Sequence, residues 1–146
     1  PSARKDTPAN RMIRVILDTN LWISYLISKR LGKIDRLFER DDLVLLFSEE
    51  LLEEFIEVAG RPKFRSYFPT EDIDELLSLL EEFAEVIEIT SEIDICRDPK
   101  DNFLLALAKD GHADFLISGD TDLLDIKTFE TTKILSYSEF EEIPHL

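Results

Sequence analysis

The sequence predicts an α/β fold, a three-layer α/β/α sandwich around a parallel sheet of about five strands. Three observations carry that reading. Short β-prone runs such as Ile13–Leu17 (IRVIL) and Leu43–Phe47 (LVLLF) are apolar almost throughout, as strands covered on both faces must be. Stretches with apolar residues at helical spacing separate these runs, which favours parallel strands joined by right-handed crossovers. At 146 residues the chain suits one domain that buries about two thirds of its unfolded surface.

Taken in order, residues 1–11 (PSARKDTPANR) lack periodicity and read as a flexible leader, leaving a single domain over 12–146. Met12, the only methionine, is a candidate native start. Ile13–Leu17 is the first strand, and Asn20 to Ser28 carries Leu21, Trp22, Tyr25 and Leu26 at helical spacing. After Gly32 a second helical pattern with Ile34, Leu37 and Phe38 runs to about Arg40. Leu43–Phe47 is the second strand, followed by Ser48 as N-cap of a helix over 49–59. Leu51, Leu52, Phe55, Ile56, Val58 and Ala59 share one broad face of that helix, with Glu54 on its border. Gly60-Arg61-Pro62 stops it, a short helical piece covers Lys63 to Phe68, and Pro69-Thr70-Glu71-Asp72 opens a long helix to about Phe83. Val86 to Ile89 reads as the third strand. Asp98-Pro99-Lys100-Asp101 starts a nearly all-apolar helix through Asp110, with Pro at the favoured first position and Gly111 at the stop. Phe115 to Ile117 is the fourth strand, Leu123 to Ile126 a short helix, and Lys133 to Leu135 a fifth strand before a polar tail.

Seventeen basic residues against 32 acidic give a net charge of −15, which at face value argues against a polyanionic partner. Clustered active-site carboxylates would add to that count, and bound divalent cations would reverse the sign locally. The bases group at Lys29, Arg30, Lys33, Arg36 and Arg40, and again at Arg61, Lys63 and Arg65, either as solvated faces or as guides for a polyanion. The single cysteine, Cys96, forms no internal disulfide and fits a reducing compartment. No apolar run approaches the ~18 residues of a membrane span and no signal-peptide pattern is present, so the chain reads as soluble and cytoplasmic.

Acids from separate segments are the candidate chemistry: Asp18 after the first strand, Glu54 on a helix border, Asp98 and Asp101 at a helix start, and Asp120 and Asp122 after the fourth strand. Asp18 and Asp120 would share the carboxyl edge of a parallel sheet, where open α/β sheets place their ligand crevice. Hard cations such as Mg²⁺ and Mn²⁺ take oxygen donors, and a carboxylate-held pair of them can activate water against a phosphodiester. Singly, each acid also reads as a helix cap, with Asp98 and Asp101 at capping-box spacing. Together they point to a cation. His112 and His145 have no partner at ligand spacing and read as structural, while Trp22 and Tyr25 read as core.

Four segments in series resemble the PIN (PilT N-terminal) domain family: Ile16-Leu17-Asp18-Thr19-Asn20; Leu51-Leu52-Glu53-Glu54 leading to Arg61-Pro62-Lys63-Phe64; Cys96-Arg97-Asp98-Pro99-Lys100-Asp101-Asn102-Phe103; and Ala113 through Leu124 (ADFLISGDTDLL). The likeness is to the branch of toxin components of toxin–antitoxin systems and spans Met12 to the C-terminus. It implies a metal-dependent ribonuclease that cleaves single-stranded RNA with Mg²⁺ or Mn²⁺. Carried over by position, Asp18, Glu54, Asp101 and Asp120 match the catalytic acidic quartet. Asp98 and Asp122 match additional metal-binding acids, and Asn20 and Ser118 match polar supports. Arg61, Lys63 and Arg65 are the expected RNA guides. The resemblance further implies an antitoxin protein as partner and a homo-oligomer, dimer or tetramer.

Rival readings are a phosphoacceptor signalling domain, a haloacid-dehalogenase-type phosphatase and a catalytically silent PIN-like module binding RNA or protein. The first needs adjacent acids after the first strand, where Thr19 and Asn20 stand; the second needs an Asp in place of Asn20. Intact acids argue against the third.

Overall fold

A computed structural model describes residues 12–28, 36–37, 39–67 and 70–143. Among them six strands, β1 (Ile13–Leu17), β2 (Leu43–Phe47), β3 (Ala84–Val86), β4 (Phe115–Ile117), β5 (Thr128–Phe129) and β6 (Thr132–Leu135), form one sheet in the order β3-β2-β1-β4-β6-β5. Every neighbouring pair is parallel except β5 with β6. Val15, Ile16 and Leu17 are buried in succession, as is all of β2, so helices and loops cover both faces of the sheet.

The helices are α1 (Thr19–Ser28), α2 (Glu49–Ala59), α3 (Thr70–Phe83), α4 (Asn102–Asp110), α5 (Thr121–Leu124) and α6 (Tyr137–Glu141), with 3-10 turns at Arg65–Tyr67 and Pro99–Asp101. Ser48 caps α2 as expected, its hydroxyl oxygen accepting from the Leu51 amide at 3.1 Å. Leu51, Phe55, Val58 and Ala59 face the core, whereas Ile56, expected with them, is 44% exposed. Five consecutive residues of α4, Leu104 to Ala108, are buried, which makes it the central helix. No helix among the described residues is long and apolar enough to cross a membrane.

The chain steps outward from β1 through β2 to β3, then returns to lay β4 on the other side of β1. The strand order therefore reverses between β1 and β4, and the crevice at their carboxyl ends is the switch point where such sheets hold ligands. α1 packs on α2, and α2 touches α4, so three helices approach that edge.

Several expectations need correction. The expected sheet of about five strands is present and has six, the unforeseen one being β5, which forms an antiparallel hairpin with β6, with Glu130 at φ 53° at its corner and Lys127 at φ 67° preceding β5. The third strand is Ala84–Val86 and not Val86 to Ile89: after Ile87 bonds to the Phe47 carbonyl, the chain leaves the ladder and Ile87, Ile89 and Ile93 pack on the core without strand partners. The tail is not simply polar, since Ser136 and Glu139 form a capping box that starts α6 and buries Tyr137 and Phe140. Gly111 ends α4 at φ −90°, and the left-handed residue is His112 at φ 50°. Gly111 is needed for space instead, because an added Cβ would lie 2.9 Å from a Leu46 methyl carbon and 3.0 Å from the Leu107 carbonyl oxygen. The expected leader 1–11, most of the second helical pattern, the bases Lys29, Arg30 and Lys33, the Tyr25 side chain and His145 lie outside the described residues.

Candidate acidic active site

Asp18 follows β1 directly, and its amide bonds to the Ile117 carbonyl at 3.1 Å, extending the β1–β4 ladder by one rung. Its carboxylate is buried, with 4% of the residue exposed. One oxygen accepts from the Leu21 amide at 2.9 Å, capping α1, and the other accepts from the hydroxyl of Ser118. Ser118 is itself fully buried and anchored through its amide to the Leu135 carbonyl at 3.0 Å. Its hydroxyl oxygen also accepts from the Asp120 amide at 3.0 Å, and Asp120 caps α5 through the Asp122 amide at 2.9 Å. Asp18 and Asp120 are thus helix caps and members of one edge at the same time. Burial above all raises the Asp18 pKa; the Ser118 and Leu21 bonds oppose it, and the charges of Asp120 and Glu54 add to it.

Glu54 reaches the same place from α2. The Thr19 hydroxyl, buried at the start of α1, donates to it at 2.5 Å. Thr19 escaped the sequence reading, although it stands beside Asp18 in the first motif. Asp101 ends the 3-10 turn before α4 and makes no side-chain cap bond. Its pKa is pushed up to about 6, by burial first and then by Asp120, Asp98 and Glu54, with a hydrogen bond from its protonated form to Asp120 adding to the rise. The Cys96 thiol feels the same field: burial, then Asp101, Asp120 and Asp98, push it up to about 11. Asn102 ties the approach to the helix by accepting from the amides of Ile95 and Cys96 at 3.2 and 2.9 Å.

The structure therefore brings Asp18, Glu54, Asp101 and Asp120 into one electrostatic cluster, with Ser118 as a direct support of Asp18. Asp98 is exposed at its margin. It accepts from the Lys100 amide at 3.1 Å, and Asp101 bonds it only through main chain, so the expected capping box between them does not form. Asp122 pairs with Arg97 at 2.9 Å. Asn20 is exposed in the first turn of α1. Arg61, Lys63 and Arg65 are exposed beyond α2; Arg61 pairs with Glu57 at 2.9 Å and the Lys63 ammonium lies 4.9 Å over the Phe64 ring. Among the described residues no three His, Cys, Asp or Glu side chains already stand in metal-ligand geometry. The donors in the cluster are nonetheless all carboxylate oxygens of like charge, the set that suits a hard divalent cation.

Comparison with known proteins bears on this arrangement. The PIN domain family matches residues 14–122. Among solved structures, VapBC2 from Rickettsia felis, in a crystal structure bound to a DNA fragment from their promoter, is similar with a TM-score of 0.55 and 16% identity, over 84% of this chain and 97% of that one. The PIN domain of human SMG5 follows at a TM-score of 0.47 and 9% identity, over 87% of this chain and 95% of that one. No curated protein matches by sequence. PIN domains are generally nucleases and typically use divalent metals. The family match takes in most of the chain and all four clustered acids, and the protein belongs to the PIN domain family.

Proposed function

We propose that the protein is a divalent-metal-dependent endoribonuclease that cleaves single-stranded RNA, and that it serves as the toxin of a toxin–antitoxin pair. The observation that carries this reading is the coupling of Asp18, Glu54, Asp101 and Asp120, drawn from four separate segments, at the switch point of the sheet. Carboxylates crowded at one edge, with Asp18 and Asp101 raised in pKa by burial and by their neighbours' charges, are poised for a cation. Bound Mg²⁺ or Mn²⁺ would supply an activated water and steady the leaving oxygen of the phosphodiester.

The chain's own contribution is positioning. Ser118 and the Leu21 amide fix both oxygens of Asp18, so that carboxylate can face the crevice in only one orientation. Thr19 holds Glu54 from the neighbouring helix, and the charges of Asp120, Asp98 and Glu54 act together on Asp101. Asp98 and Asn20 border the site. The toxin assignment, with an antitoxin protein and a further copy of the chain as partners, draws support from the sequence resemblance and from the VapBC2 likeness.

The test is cleavage of a single-stranded RNA in Mn²⁺, with loss of activity in EDTA. Asp101→Asn should elute as the parent does and cleave nothing. A variant that cleaves like the parent would move the active site elsewhere, and a parent that never cleaves would leave a silent binding module.

A further inference from the structure

We propose that Arg97 is a phosphate-binding residue of the acidic site, where the phosphodiester backbone of a single-stranded RNA is held against a surface that otherwise repels it; the proposal rests on the nuclease reading above. The difficulty it meets is electrostatic. The chain carries a net charge of −15, and the clustered carboxylates stand where a phosphodiester must arrive.

Four of the other described arginines are committed elsewhere. Arg14 donates to the Gly111 carbonyl and to Glu85, Arg40 forks onto both oxygens of Asp42, and Arg61 onto both oxygens of Glu57. Arg36 pairs with Glu141. Arg97 alone of these five arginines is tied to the acidic edge: it directly precedes Asp98, and its Nη1 donates to the Asp122 carboxylate at 2.9 Å. It therefore spans from the segment that carries Asp98 and Asp101 to the one that carries Asp120 and Asp122.

The bond to Asp122 is a weak commitment. It uses one of the five N–H donors of the guanidinium, and the Arg97 side chain is 75% exposed, a setting in which an ion pair contributes little. A phosphate accepts two parallel donors from the same planar fork and makes the stronger, charge-assisted contact. Exchanging Asp122 for a phosphate is accordingly favourable, and Asp122 is the resting partner of Arg97.

The experiment compares Arg97→Gln and Arg97→Lys with the parent in two assays. Cleavage of a single-stranded RNA in Mn²⁺ reads KM and kcat, and binding of the same RNA in an Asp101→Asn background, across a salt series, reads the ionic contribution. Arg97→Gln should raise KM about tenfold and leave kcat within about threefold; its log affinity should fall with log salt on a slope shallower by ~0.7, one single-strand phosphate contact. Arg97→Lys, which keeps the charge and loses the fork, should keep the slope and raise KM less. The Mn²⁺-induced rise in Tm should be the same in all three. An unchanged KM and slope in Arg97→Gln overturns the proposal alone. A fall in kcat with a smaller Mn²⁺ shift and unchanged KM also overturns it, because Arg97 would then act on the acids through Asp122. A parent that neither cleaves nor binds RNA overturns the nuclease reading and this proposal with it.

Discussion

Asp101→Asn, made without metal, isolates the charge crowding of the acidic edge. In the unfolded chain the carboxyl titrates near its ordinary 3.8, and in the fold it is pushed up to about 6 by burial, Asp120, Asp98 and Glu54. The folded state thus keeps this proton to higher pH than the unfolded one. Its contribution to stability is full below about pH 4 and is lost as pH rises through about 6. Taken whole, that difference corresponds to about 3 kcal/mol of destabilisation at neutral pH. Asp101 is only half-buried, so solvent screening reduces the figure to about 1 kcal/mol. Asn keeps the shape, removes the charge and forfeits no capping bond, since Asp101 makes none. Thermal melts in EDTA from pH 4 to 7.5 should find the variant about 3 °C above the parent at the alkaline end, with the gap closing near pH 4. Mn²⁺ should then raise the parent's Tm more than the variant's. A gap that does not change with pH, or a variant that melts lower at pH 7.5, refutes the charge argument.

Two further substitutions test the supports. Thr19→Ala strips the half-buried Glu54 of its hydroxyl donor and should cost about 1 kcal/mol and lower kcat, with Thr19→Ser restoring both; an unaltered kcat would remove the hydroxyl from the machinery. Gly111→Ala forces a Cβ against Leu46, Ile87 and the Leu107 carbonyl and should cost about 1–3 kcal/mol in denaturant melts, although its backbone angles suit any residue; equal or greater stability would refute the packing argument.

The strands that were legible are those whose neighbours are also apolar. β1, β2 and β4 sit at the centre of the sheet, so burial on both faces wrote itself into runs of Ile, Val, Leu and Phe interrupted only by Arg14. The edges were harder. Val86 to Ile89 has strand-like apolar character, but only a partner strand makes a ladder, and beyond Ile87 none is there. β5 escaped because Lys127 and Glu130 take left-handed angles without the Gly or Asn that usually announces them. α6 carried its signal, Ser136 with Glu139, in a helix too short for periodicity to speak. In the site, Asp18, Asp101 and Asp120 were readable because each closes a strand or opens a helix, and Glu54 because it borders the apolar face of α2. The contacts of Thr19 with Glu54 and of Arg97 with Asp122 join residues 35 and 25 apart, and no local pattern encodes them.

The bond between Ser118 and Asp18 spans 100 positions of the chain. During synthesis β1 and β2 emerge first and can pair, yet the cluster lacks Asp101, Asp120 and the hydroxyl that orients Asp18 until residues 101–120 have left the ribosome. At about 5–20 residues per second, the acidic cluster stays incomplete for several seconds after the first strand is made. Parallel pairing between distant strands adds a slow folding step to that delay. The acidic cluster is therefore a late product of folding: it closes only when β4 and the turn after it join β1, long after the first two strands can pair.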